Sequence, residues 1–335
     1  GIPVFGPSAK AAAIEGSKSF AKDVMHAAGV PTGASVTVSN AELLGQALDQ
    51  SGAPYVVKAD GLAAGKGVLV TEDRDAAIAH AEYYLQDGEV VVEEFLDGEE
   101  VSLFFLADGD TVVPLSPAQD YKRAFDGDEG PNTGGMGSYS PCPWLPDGFV
   151  DEVTKDIAQP TIDELRTRGT PFTGLLYCGL IVTDKGVKVI EFNARFGDPE
   201  TQAVLARVDG DIAPLLHKAA TGTLEASDSV PFLDDAAVVV VLASEGYPAH
   251  PETGRVIHGT DRAAEVEGVH LAHAATAETE TGLIATGGRV LSVVATAEDF
   301  THARERAYEA LGHIELEGSH YRTDIAARVS SDAAR

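Results

Sequence analysis

The run VKVIEFNARFGDPE, Val187 to Glu200, constrains this chain most. Val187 to Asn193 reads as a strand, and period-2 geometry puts Glu191 and Asn193 on one face with Phe192 on the other. Two hard oxygen donors are thereby aimed at one point. That suits Mg²⁺ shared with nucleotide phosphates, because Mg²⁺ usually takes only one or two carboxylates from a protein. Arg195 follows, a planar five-donor group able to hold phosphate oxygens as negative charge develops on them. Asp198-Pro199 then reads as an N-cap and first helical position, turning a helix amino end toward the same place. Taken alone, the segment also reads as an acidic strand end with a capped helix behind it.

The strand has an obvious partner. Gly174 to Val182 is apolar and pairs with it through the turn Thr183-Asp184-Lys185-Gly186, which places Cys178 in the core. A second chemical feature is Lys58 to Val70, a strand ending in lysine, then a loop with Gly61, Gly65 and Gly67, then another strand. Backbone N–H groups of such a loop can face phosphate while Lys58 and Lys66 supply charge. It lacks the order and the following helix of a Walker loop. A plain glycine hairpin with two solvated lysines fits the same residues.

Val90 to Leu96 is a strand leading into a hinge at Asp97-Gly98 and a further strand, Glu99 to Leu106. Apolar residues beside backbone donors there can hold a purine, with Glu100 on the ribose hydroxyls; an acidic connection between strands is the other reading. Pro114 to Pro143 has the composition of a loop. It groups Asp120, Lys122 and Arg123 and contains the glycine-rich Pro131 to Gly137, and a loop this long is uncommon unless it binds something. Met136 is read as a packing anchor.

Between these features the pattern predicts helices at Gly16 to Ala28, after a Ser39/Glu42 capping box, at Asp73 to Leu85, at Ile157 to Arg168 and at Ile212 to Ala220. Acidic Glu225 to Asp235 is the best boundary. Beyond it come strands at Ala236 to Ala243, Arg255 to His258, His270 to Ala275 and Arg289 to Ala295, then a helix capped by Thr296 with Asp299. Gly1 to Pro7 reads as a short strand and turn with nothing before it to pair with.

The length, 335 residues, allows two or three domains. With 24 Lys and Arg against 53 Asp and Glu, a net charge of −29 repels phosphodiester backbones, so nucleic acid is not an expected partner. The longest apolar run is far short of the roughly 20 residues that span a membrane, so no membrane association is expected. Two cysteines without metal spacing point to a reducing cytosol and a cytoplasmic protein. No Ser-His-Asp or Cys-His arrangement competes for nucleophilic work. Phosphoryl transfer from ATP, which needs positioning and charge neutralisation, is the natural chemistry.

In order along the chain, Glu15-Gly16-Ser17-Lys18, Lys58 to Gly67, Glu93 to Glu100, QDYKR at Gln119 to Arg123, GPNTGGMG at Gly130 to Gly137 and EFNARFGDPE at Glu191 to Glu200 resemble the glycinamide ribonucleotide synthetases, or phosphoribosylamine–glycine ligases, of the ATP-grasp superfamily. The resemblance runs from Gly1 to about Asp324. It implies an α/β (α+β) ATP-grasp fold: a remnant of a preceding domain at 1–15, a central platform at 16–34 and 97–229, a small lid at 35–96 and a mixed α+β C-terminal domain at 230–335. It implies ATP with Mg²⁺ or Mn²⁺, glycine and 5-phosphoribosylamine as substrates, and a monomer. Lys58, Lys66 and Gly67 would bind ATP phosphates, Glu93, Glu94, Phe95 and Leu96 would line the adenine pocket, and Glu100 would take the ribose. Glu191 and Asn193 would hold the metal, and Arg195 would stabilise the transferring phosphate. Asp120, Lys122, Arg123, Asp198 and the loop with Asn132, Gly134 and Gly135 would serve the glycine and phosphoribosylamine side. Relatives carry a first α/β domain of which only the apparent last strand is present here, so it is either a separate chain or missing. They also carry a longer lid loop than Leu85 to Glu89. Rival readings are an ATP-grasp ligase with another acceptor, and an ATP-binding module without turnover.

Overall fold

The computed structural model describes residues 1–62 and 67–332, the last two by backbone only. Helices and strands are mixed along the chain, as an α/β fold requires. Contacts group the residues into two compact units: Gly1–Leu115, Pro146–Phe196 and Asp211–Val230 in one, and Ser116–Leu145, Gly197–Gly210 and Pro231–Arg335 in the other. The second unit therefore draws on two internal segments as well as the C-terminal stretch. Among the described residues no helix is long and apolar enough to cross a membrane.

In the first unit, a four-stranded antiparallel sheet is ordered Ser35–Val38, Val90–Glu93, Tyr55–Ala59, Val68–Thr71. Helices Ala41–Ser51 and Arg74–Tyr84 supply Leu44, Ala47, Leu48, Ala77 and Ala81 to a core with Val38, Val57, Val90 and Val92. Asn40 caps the first helix, its Oδ1 accepting from the N–H groups of Glu42 and Leu43. The expected Ser39 box is thus one residue out, because Asn40 has the extended backbone and the short amide that reach those donors. Asp73 caps the second helix as its position predicts.

The other sheet of this unit runs Gly186–Asn193, Thr173–Thr183, Glu99–Asp108, Val112–Pro114, antiparallel throughout. The expected hairpin is there, with a bulge where Gly179 and Leu180 face Glu191 and Val189. Gly98 is dictated by crowding: a Cβ there would lie 2.2 Å from the Val182 carbonyl oxygen. The helix expected from Gly16 breaks at Ser17, which is extended and accepts from the Phe20 N–H, leaving Ala13–Gly16 and Lys18–Ala28. The helix expected from Ile157 starts earlier, at Phe149, and passes through a π-helical turn, Thr154–Ala158, before Gln159–Thr167. Pro160 lacks an N–H and crowds the carbonyl four residues back, which a wider turn accommodates. No strand forms at residues 1–8, where Ile2 and Val4 are exposed rather than paired.

The second unit is built on a five-stranded antiparallel sheet ordered Val269–His273, Arg289–Ala297, Ala236–Ala243, Gly137–Ser140, Gln119–Asp120. Ala236–Ala243 is buried at every position, matching its unbroken apolar run. Phe300–His313 packs on it through Phe300, Ala303, Ala307, Ala310 and Leu311, and its cap is Asp299, accepting from the His302 N–H, rather than Thr296. The expected Pro114–Pro143 loop is mostly not loop. Two of its pieces join the sheet, and Arg123–Phe125 with Glu129–Asn132 forms a separate ribbon. Arg255 to His258 makes only isolated bridges, Val256 with Ile284 and His258 with Glu315, while an unexpected hairpin pairs Thr276–Thr279 with Gly282–Ala285.

Candidate active site

The expected site residues divide between the two units, and each group has its own construction. In the first unit the hairpin ends at the acidic pair. Asn193 is buried, Glu191 half-buried, and Asn193 Nδ2 donates to Glu191 Oε1 at 3.4 Å, so the two side chains do share a face. Among the described residues no group of three or more His, Cys, Asp or Glu side chains is placed to hold a metal. One carboxylate and one amide oxygen therefore make a partial donor set, of the kind that Mg²⁺ completes with phosphate and water. Arg195 Nε lies 3.3 Å from Glu15 Oε1, and the other Glu15 oxygen accepts from the Ala194 N–H at 2.8 Å. Glu15 thus ties the guanidinium to the strand end.

Beside this lies a cluster of buried charge. Lys58 Nζ is 3.0 Å from Glu93 Oε2 and donates to the Ile190 carbonyl at 3.3 Å. Lys22 Nζ reaches the same Glu93 oxygen at 3.3 Å and also donates to Thr32 Oγ1 and the Gly33 carbonyl. Lys22, Lys58 and Glu93 are 8%, 5% and 4% exposed, so two ammonium groups share one carboxylate almost out of water. Lys18 Nζ donates to the Gly61 carbonyl at 2.9 Å, and Asp60 accepts from the Lys18 N–H and the Ser19 hydroxyl. Burial pushes the Lys18 and Lys22 ammonium groups down from the ordinary lysine range, opposed at Lys18 chiefly by Glu191 and at Lys22 by Glu93. Lys18, Lys22, Glu15 and Asp60 carried no assigned role in the sequence reading. The four-residue spacing of Lys18 and Lys22, one helical turn, is the signal that could have paired them.

The remaining nucleotide-side residues are less uniform. Glu93 spends its carboxylate on the lysines. Glu94 accepts from the Ala34 N–H at 3.1 Å, which holds its carboxyl below the usual range, and pairs with Lys188. Phe95 is 40% exposed, Leu96 is half-buried, and Glu100 is exposed near the start of its strand. The Gly67 carbonyl accepts from the Ala59 N–H. Lys66 and Gly65 lie outside the described residues.

In the second unit Lys122 Nζ is 3.7 Å from Asp120. Arg123 points along its ribbon, donating to the Asp128 carbonyl and to Asn132 Oδ1. The glycine-rich loop is internally satisfied: the N–H groups of Thr133, Gly134, Gly135 and Met136 donate to the Lys122 carbonyl, Tyr247 Oη, Thr133 Oγ1 and the Tyr121 carbonyl. Met136 is fully buried, an anchor as expected. Asp198 is not an N-cap. The helix Glu200–Leu205 has Pro199 at that position with no side-chain cap, and the Asp198 carboxylate pairs instead with Arg289 at 3.1 Å.

Two family models match the chain: the ATP-grasp (A) domain of phosphoribosylglycinamide synthetase over residues 16–201 and its C domain over 237–328. A phosphoribosylamine–glycine ligase of Leifsonia xyli subsp. xyli is 64% identical over 98% of this chain and 79% of its own length. The enzyme of that name from Streptomyces coelicolor is 58% identical over the same shares. The crystal structure of the Thermotoga maritima phosphoribosylamine–glycine ligase superposes with a TM-score of 0.88 at 35% identity, covering 96% of this chain and 81% of that one. A biotin carboxylase domain from Hydrogenobacter thermophilus, solved with MgADP, superposes at 0.74 with 18% identity over 96% of this chain and 70% of its own, a likeness of fold. On these matches the chain belongs to the phosphoribosylglycinamide synthetase family, the phosphoribosylamine–glycine ligases of purine biosynthesis.

Proposed function

We propose that the chain joins glycine to 5-phosphoribosylamine through a glycyl phosphate, with ATP bound along the first unit's charge cluster. The observation that carries this is the placing of Glu191, Asn193 and Arg195 at one strand end in the same unit as Lys18, Lys22 and Lys58. Lys58, Lys18 and the undescribed Lys66 hold ATP phosphates, and the Glu93 carboxylate keeps Lys58 in place. The sheet and helices of residues 35–96 act as the lid, with Glu94, Phe95 and Leu96 along the adenine and Glu100 at the ribose.

A bound Mg²⁺ or Mn²⁺ would be held by Glu191 and Asn193 and would neutralise phosphate charge. A glycine carboxylate oxygen attacks the γ-phosphorus and ADP leaves. Arg195 offsets the charge on the transferring group. The phosphoribosylamine nitrogen then attacks the glycyl carbonyl, phosphate departs with the former carboxylate oxygen, and the nitrogen gives up its proton. Asp120, Lys122, Arg123, Asn132, Gly134, Gly135 and Asp198 serve the two acceptor-side substrates. Since the N–H groups of Thr133 to Met136 already have protein acceptors, the loop contributes shape and side chains rather than an N–H cradle. Buried, reduced Cys142 and Cys178 accord with a cytosolic enzyme.

Glycine labelled with ¹⁸O in its carboxylate tests the route. The label is expected in the released phosphate, one atom per turnover; phosphate free of label would exclude the glycyl phosphate.

A further inference from the structure

Arg289 opens the strand Arg289–Ala297 and pairs with Ala243 in the central sheet of the second unit, so its backbone is firmly held. Its guanidinium reaches two other segments. Nη1 donates to the carbonyl oxygens of Gly134 at 2.7 Å and Asp198 at 2.8 Å, approaches that of Gly135 at 3.4 Å, and lies 3.1 Å from Asp198 Oδ1. Two hydrogens on one nitrogen are shared among four oxygens of two loops, a pattern that fixes the loops rather than the arginine.

The neighbouring glycines belong to the same device. A Cβ on Gly134 would sit 3.0 Å from Arg289 Cζ, so a side chain there would push the planar group away from the loop by a few tenths of an ångström. Gly135 has φ +112, and a Cβ there would sit 2.4 Å from Pro199 Cδ. The Gly134 N–H is held from the other side by Tyr247 Oη. Loop and Asp198 are thus assembled around Arg289, whose side chain is 24% exposed against 46% for Asp198.

We propose that Arg289 is a positioning residue for the amino-acid substrate: it fixes the Gly134–Gly135 turn and orients the Asp198 carboxylate that the substrate meets. This rests on the acceptor-side reading of Asp198 and the loop given above. An arginine with a merely structural role would, when lost, weaken every substrate together, whereas a positioning role is selective.

The test uses the full chain with Arg289→Met, which keeps the aliphatic stem, and Arg289→Lys, which keeps the charge without the fork. In Arg289→Met the KM for glycine should rise about tenfold or more while that for ATP moves by less than about twofold, with Arg289→Lys between. Hydrogen exchange measured by mass spectrometry should quicken at 133–136 and 197–201 and stay unchanged at 55–93. Equal rises in both KM values, an unchanged glycine KM, or faster exchange across the whole chain would overturn the proposal. If the unaltered chain turns over no glycine, the acceptor reading itself fails. The exchange data then decide positioning alone: a local rise upholds it, and no rise or a global one removes it.

Discussion

At Glu93 one carboxylate oxygen meets two ammonium groups, and all three side chains are almost out of water. Glu93→Gln should therefore be costly, on the order of 3–5 kcal/mol in urea unfolding, because it leaves two buried cations without their anion. Lys22→Met removes one cation and leaves a neutralised pair, so about 2 kcal/mol or less is expected. Lys18 carries a pH signature. Burial lowers its pKa from 10.5, so the charge proposed to hold phosphate is present below the lowered value and lost as pH rises through it. ATP affinity, measured by titration from neutral pH up to about 10, should fall earlier than for an ordinary lysine, and Lys18→Arg should flatten the fall because arginine stays charged. Between the lowered and ordinary values the unfolded chain binds more protons, so this group's destabilising effect fades as pH rises. The facing of Glu191 and Asn193 was legible because period two is a property of any strand. The partners of Lys22 and Arg289 were not, since a single cation in a helix or at a strand start carries no mark of what it will meet.

Elements were legible where local pattern and tertiary need agree. The Thr173–Asn193 hairpin and Ala236–Ala243 declare themselves by apolar runs and turn residues. Caps were misplaced at Asn40 and Asp299, where a neighbouring Ser or Thr offered a rival, and the choice depends on which backbone is extended at that point. Asn40→Ala should cost about 1 kcal/mol of thermal stability, whereas Ser39→Ala should cost a few tenths at most. The strands inside Pro114–Pro143 were illegible for another reason: Gln119–Asp120 has two residues, too few for a period, and exists because Gly137–Ser140 and Ala236–Ala243 continue the sheet. Gly98, expected as a hinge, is also a close-approach position. Gly98→Ala should lower the melting temperature by the equivalent of about 1–3 kcal/mol, with the loss arising from the Val182 contact rather than from altered flexibility.

For the molecule as a whole, the order of motifs pointed to the family, while the make-up of the two compact units followed long-range contacts that motif order does not encode. Residues 116–145 and 197–210 join 231–335 because their short strands and the helix Glu200–Leu205 complete a sheet and core seeded by Val239 and Val294. The two groups of site residues are each explained within their own unit, and the ligase reading requires both to act on one reaction. A coupled assay of ADP and glycinamide ribonucleotide, with Mg²⁺, glycine and freshly made phosphoribosylamine, tests that most directly. The two products are expected in equal amounts, with a loss on the order of 100-fold in Asn193→Ala, which would lack a proposed metal ligand. ADP released without glycinamide ribonucleotide, or an Asn193→Ala protein as active as the original, would contradict it.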